Sequence, residues 1–81
     1  MQSAELRHLI ESGIPGATVQ VAGEDGVHFE ALVVASAFEG KNMVQQHQMV
    51  YRILGPRMGA EIHALSLKTM TPREFGAAGD V

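Results

Sequence analysis

The sequence predicts an α+β domain in which a three-stranded sheet lies on one layer of helices, and three patterns carry that prediction. Two runs of strand character, 17–22 and 27–35, flank the turn-forming Gly23-Glu24-Asp25-Gly26. Met43, His47, Val50 and Leu54 recur at helical spacing between Asn42 and the stop signal Gly55-Pro56. Ile62 to Leu67 alternates once more and then leads into Thr71-Pro72-Arg73-Glu74, a helix start.

In chain order, Ser3 is the expected cap of a first helix through about Ser12. Leu6, Leu9 and Ile10 form its apolar stripe, and Gly13 and Pro15 end it. Val19 and Val21 alternate with Thr18 and Gln20 in the first strand. In the second, Val27, Phe29, Ala31 and Val33 share one face while Leu32 and Val34 lie on the other, as suits the middle strand of a sheet. Ser36 to Lys41 reads as a short helical turn closing at Gly40, and Asn42 caps a long helix to about Leu54, its stripe widened by Val44, Tyr51 and Ile53. The third strand spans 62–67 and is opened by His63 at a sheet edge. Thr71, Pro72 and Glu74 supply the cap, first position and capping-box partner of the last helix, which Gly76 and Gly79 limit. The expected ordered core is 3–76 within a single domain 1–81, with 77–81 a frayed tail.

Composition narrows the function classes. A chain of 81 residues allows one domain with a modest core and little room for an internal catalytic cavity. Hydrophobic residues make up 46% and charged residues 19%, a folded rather than disordered inventory. No apolar run is long enough to span a membrane and no signal-peptide pattern follows Met1, so a cytoplasmic address is expected. The absence of cysteine removes disulfides, thiolate nucleophiles and any self-contained thiolate cluster site, leaving histidine for soft-metal ligation. A net charge of −3 opposes nucleic-acid binding, which needs clustered Lys and Arg. No nucleophile, base and orienting group assemble from the pattern, so an enzyme is not expected.

The chemistry therefore rests on four histidines. His8 lies off the first helix's stripe and is expected in solvent, whereas His47 on the Met43–Leu54 stripe is expected to pack against the core. On pattern alone His63 is an edge histidine hydrogen-bonded to a neighbouring loop. His28 either opens the second strand, opposite Phe29, or belongs to the turn before it.

Several blocks in order carry a more specific signal: Val33-Val34-Ala35-Ser36, then Phe38-Glu39-Gly40-Lys41, then His47-Gln48-Met49-Val50-Tyr51, then His63-Ala64-Leu65-Ser66-Leu67-Lys68-Thr69-Met70-Thr71-Pro72. Together they make residues 3–76 resemble the BolA family. The resemblance implies a type II KH-like fold of order αββααβα with a three-stranded mixed sheet and helices on one face. It also implies a non-enzymatic adaptor that binds a monothiol glutaredoxin and shares a bridging [2Fe–2S] cluster with it and with glutathione, in iron–sulfur trafficking or iron- and stress-linked regulation.

By the same resemblance His63 is a cluster ligand, and His28 is the histidine in the region where the family carries a second ligand. With no cysteine present, the chain resembles the histidine-type branch, and no cluster is expected on the isolated chain, since two imidazoles leave the site incomplete. Phe38, Lys41, Lys68 and Thr71 are the expected partner-contact residues, and the loop around Thr71 is expected to help wall the pocket at His63.

The alternative implied by the family is a DNA-binding transcriptional regulator using the KH-like scaffold. A KH domain clamps nucleic acid with a basic GxxG loop between helices, but here that segment is Phe38-Glu39-Gly40-Lys41-Asn42, with one glycine and an acid. Gly13-Ile14-Pro15-Gly16 and Gly23-Glu24-Asp25-Gly26 match the letters yet read as a helix-to-strand connection and an acidic hairpin turn.

Overall fold

The computed structural model describes residues 1–79. Its elements are α1 (Ser3–Gly13), β1 (Thr18–Ala22), β2 (His28–Val34), a 3-10 turn (Ser36–Phe38), α2 (Met43–Leu54), a single broken turn α3 (Arg57–Ala60), β3 (Ala64–Met70) and α4 (Pro72–Gly79). The sheet order is β1-β2-β3, antiparallel across the hairpin and parallel between β2 and β3, so β2 is the middle strand as expected.

The helices form where local signals are strongest. Asn42 Oδ1 accepts from the Gln45 N–H at 2.8 Å while Gln45 Oε1 accepts from the Asn42 N–H at 3.0 Å, a closed capping box at the start of α2. Thr71 and Glu74 do the same for α4, with the Thr71 N–H donating to Glu74 Oε1 at 2.9 Å. At α1 the cap moves one residue earlier than expected. Gln2 occupies it, its N–H donating to Glu5 Oε1 at 3.3 Å, because Glu5 is the acid three residues on and Ser3 is already helical. α4 runs through Gly79, past the expected end of the ordered core at residue 76; residues 80 and 81 of the expected tail lie outside the described residues.

α1 and α2 cover one face of the sheet. Leu6, Ile10, Ile14, Val19, Phe29, Val33, Phe38, Val50, Leu54 and Ile62 form the core between them. Gly13 lets α1 approach α2 closely, since a Cβ there would stand 2.6 Å from the Ile53 side chain. The other face presents Gln20, Glu30, Ser66 and Lys68 to solvent, which gives the strands their in-out alternation.

Two expectations shift in phase. The inner face of α2 is Gln46, Val50 and Leu54 flanked by Met49 and Ile53, not the Met43–His47 stripe; Met43 and Val44 are 67% and 65% exposed. His47 is consequently only half-buried, edge-on to Tyr51 with ring centroids 6.5 Å apart. A buried polar network explains the rotation. Thr69 Oγ1 donates to Gln46 Oε1 at 2.6 Å, and Gln46 Nε2 donates to the carbonyls of Phe38 at 3.3 Å and Lys41 at 2.9 Å. Gln46 thus ties α2, β3 and the 38–41 loop together.

β3 begins two residues later and ends three residues further than the sequence suggests. Ile62 is held by the turn before it, pairing with Met58 in an isolated bridge, with the Gly59 N–H donating to the Ile62 carbonyl at 2.8 Å. Gly59 adopts φ +89°, which a residue with a Cβ rarely takes. The turn buries Ile62 completely and brings His63 out at the strand's threshold.

Candidate functional site

β2 and β3 start together at one end of the sheet. Their parallel register pairs His28 with Ala64, and the Val27 carbonyl just before β2 accepts the N–H of His63 at 2.8 Å and of Ala64 at 3.3 Å. Two histidines 35 positions apart in sequence are brought side by side by one backbone carbonyl, with ring centroids 6.4 Å apart and planes inclined at 50°. Both residues are exposed. His28 is the first residue of β2, which resolves its two sequence readings in favour of the strand, on the face opposite Phe29 as the alternation required.

The hairpin turn organises His28. Asp25 Oδ1 accepts the N–H of Val27 at 2.9 Å and of His28 at 2.8 Å, and its Oδ2 meets His28 Nδ1 at 2.5 Å. The two backbone donors, His28 first and Val27 next, followed by the ring contact, hold the Asp25 carboxyl far below the usual carboxylate range. Gly23 closes the turn tightly, since a Cβ there would collide with the His28 carbonyl oxygen at 2.6 Å and the Phe29 ring at 2.7 Å. Beside the pair, Ala22, Gly23, His28, Glu30, Ala64 and Ser66 line a shallow depression on the open face.

Two imidazoles are soft-metal donors that a [2Fe–2S] cluster accepts. An imidazole centroid stands about 3 Å from a metal held through a ring nitrogen at about 2 Å. The observed separation is just beyond the reach of two rings on one ion, and exposed side chains close that gap by small rotations. Nδ1 of His28 is engaged by Asp25, so Nε2 is the free nitrogen. Among the described residues no group of three or more His, Cys, Asp or Glu side chains is placed to hold a metal ion.

The other expected site residues lie elsewhere. Phe38, the last residue of the 3-10 turn, is fully buried in the core, which overturns its expected role in contacting a partner. Lys68 belongs to β3 rather than to a loop beyond it, exposed on the open face about 16 Å along the strand from His63. Thr71 follows β3, about 26 Å along the chain from His63, so its loop cannot wall the histidine pocket. Its hydroxyl caps α4, accepting from the Glu74 N–H at 3.3 Å. Lys41 is exposed in the loop before α2. Asp25 is absent from the residues expected at the site, and its one sequence signal is an Asp three residues before a histidine in a hairpin turn.

No helix among the described residues is long and apolar enough to cross a membrane. The family model for the BolA-like protein matches residues 10–74. The acid stress protein IbaG of Escherichia coli is 34% identical over 79 residues, covering 93% of this chain and 89% of that protein. The chloroplastic protein BOLA1 of Arabidopsis thaliana is 32% identical across 91% of this chain, which spans 43% of its length. A Haemophilus influenzae protein named a DNA-binding transcriptional regulator, BolA, is 36% identical over 65% of this chain and 52% of its own length. Among solved structures, a bolA protein homologue from Coxiella burnetii superposes with a TM-score of 0.83 at 42% identity, over 94% of this chain and 97% of that one. The blocks read from the sequence, the αββααβα order and these likenesses agree, and the chain belongs to the BolA-like protein family.

Proposed function

We propose that this chain is a non-enzymatic, histidine-type member of its family that acts in the cytoplasm, binds a monothiol glutaredoxin and contributes His63 and His28 to a shared [2Fe–2S] cluster. Its role is iron–sulfur trafficking or iron- and stress-linked regulation. The observation that carries this reading is the pair of exposed imidazoles, 6.4 Å apart, at the common start of β2 and β3. Two donors fill half of a cluster's four protein-side positions, and a thiolate from glutaredoxin and one from glutathione match the remainder. When bound, the cluster supplies redox-active, transferable iron. The chain's own part is to present two neutral ring nitrogens that leave on protonation, which suits a labile site. Lys68, on the open face that continues from the depression beside His28, is the contact residue such a partner meets first; Lys41 and Thr71 serve only a partner that extends past the far end of β3.

Anaerobic reconstitution with a monothiol glutaredoxin, iron, sulfide and glutathione tests the proposal by visible absorption and circular dichroism. A heterocomplex spectrum distinct from that of the glutaredoxin homodimer is expected, and His63→Ala abolishes or shifts it. Spectra equally unchanged by wild type and variant would sink cluster ligation.

A DNA-binding role is the second reading, favoured by one relative's name and by five exposed cations, Lys41, Arg52, Arg57, Lys68 and Arg73, that form no ion pair among the described residues. They are spread over several elements and the chain is net acidic, so this reading ranks behind the first. DNA affinity that falls steeply with salt would raise it.

A further inference from the structure

His28 and His63 are not equivalent donors. Asp25 stands against the His28 ring, and His63 has no such carboxylate among the described residues. The Asp25 carboxylate is fixed from behind by two backbone N–H groups on Oδ1, which leaves Oδ2 aimed at His28 Nδ1. An ionised carboxylate has no proton to give, so the ring must donate from Nδ1. In the neutral imidazole the lone pair then resides on Nε2.

We infer that Asp25 is a positioning residue: it pins His28 in the Nδ1–H tautomer, pre-orients the ring and makes Nε2 the atom offered to metal. This rests on the proposed cluster reading and deepens it. Carboxylate–imidazole–metal arrangements hold a ligating histidine in one tautomer and raise its basicity as a donor. Here the arrangement is built into a single turn, Asp25-Gly26-Val27-His28, so it exists before any partner arrives. His28 is the prepared ligand of the pair, and His63 must select its tautomer and rotamer on binding.

Asp25→Asn separates positioning from folding. Asparagine keeps the Oδ1 acceptor for the Val27 and His28 N–H groups, and those two donors also forbid flipping the amide. Its NH2 group then faces His28 Nδ1 and donates to it, which drives the ring proton to Nε2. The experiment is ¹⁵N NMR of the histidine rings at about pH 8, above the usual histidine pKa of about 6.5, followed by titration with Zn²⁺ alone. Unchanged Val27 and His28 amide shifts report an intact turn.

The expected result is a protonated Nδ1 on His28 in the wild type, a protonated Nε2 in Asp25→Asn, and Zn²⁺ binding at His28 weakened by about 10–100-fold. The same tautomer in both proteins, or equal Zn²⁺ affinity, overturns the inference. Failure of the parent reading shows elsewhere, as a glutaredoxin heterocomplex spectrum indifferent to His63→Ala.

Discussion

The two ends of the β2–β3 pair are built on opposite plans. At the start, where His28 faces Ala64, side chains are exposed and order comes from short-range hydrogen bonds around Asp25 and the Val27 carbonyl. At the finish, where Val34 faces Met70, the surroundings are buried: Ala35, Phe38 and Thr69 are enclosed, and Gln46 joins helix, strand and loop. The difference separates stability from chemistry. A parallel pair whose far end is locked can leave its near end open for ligands without loosening the fold.

Substitutions ranked by their effect on stability test that division. Phe38→Ala empties the locked end and is expected to cost about 3–5 kcal/mol, measured by denaturant unfolding. A loss under about 1 kcal/mol would show that the far end is not the anchor. Gln46→Leu strips the Thr69 hydroxyl and the Lys41 carbonyl of their partner, leaves the Phe38 carbonyl with the Lys41 N–H alone, and should cost about 1–3 kcal/mol. Because the two side chains share one network, adding Thr69→Val should cost less than the sum of the separate losses.

Glu74 gives a smaller, pH-dependent effect. The Thr71 backbone N–H first, and its hydroxyl second, lower the Glu74 pKa from its ordinary 4.5. A carboxylate with a depressed folded pKa contributes stability fully present above its unfolded pKa and lost as pH falls through the folded value. Glu74→Gln should therefore lower thermal stability slightly at neutral pH and converge on the wild type as the pH falls below about 4.5, which flattens part of the acid limb. An identical acid limb in the two proteins would remove the capping box from the account. His63→Ala stands last in this ranking, within about 0.5 kcal/mol, and first in its expected effect on the glutaredoxin spectrum.

The sequence makes local features legible. The Asn42 cap of α2, Thr71 with Glu74, and the Gly23–Gly26 hairpin are set by residues within a few positions of each other, and each forms where the pattern placed it. Tertiary context decides the rest. The apolar Met43 and Val44 point to the wrong phase of α2, because Gln46 is polar yet turns inward, where its amide oxygen and nitrogen both find partners in Thr69, Phe38 and Lys41. The pattern starts β3 early because Ile62 looks like strand core, whereas a turn reaching back to Met58 buries it. The resemblance named both histidines, but only the parallel register, invisible in a one-dimensional pattern, places them beside each other. Phe38 reads as a contact residue because it sits in a short turn between elements, whereas the fold buries its ring completely.

The shared Val27 carbonyl also bears on how this site tolerates change over evolutionary time. Because His63 is registered to the backbone just before β2, residues inserted at Gly23-Glu24, ahead of Asp25, would lengthen the hairpin without altering the spacing of the two rings. A one-residue deletion in the turn just before His63 has the opposite outcome. Either the imidazole is lost from the pair, or β3 slips and turns Leu65, Leu67 and Thr69 toward water. The hairpin tip is thus free to diversify, while the approach to β3 is fixed in length.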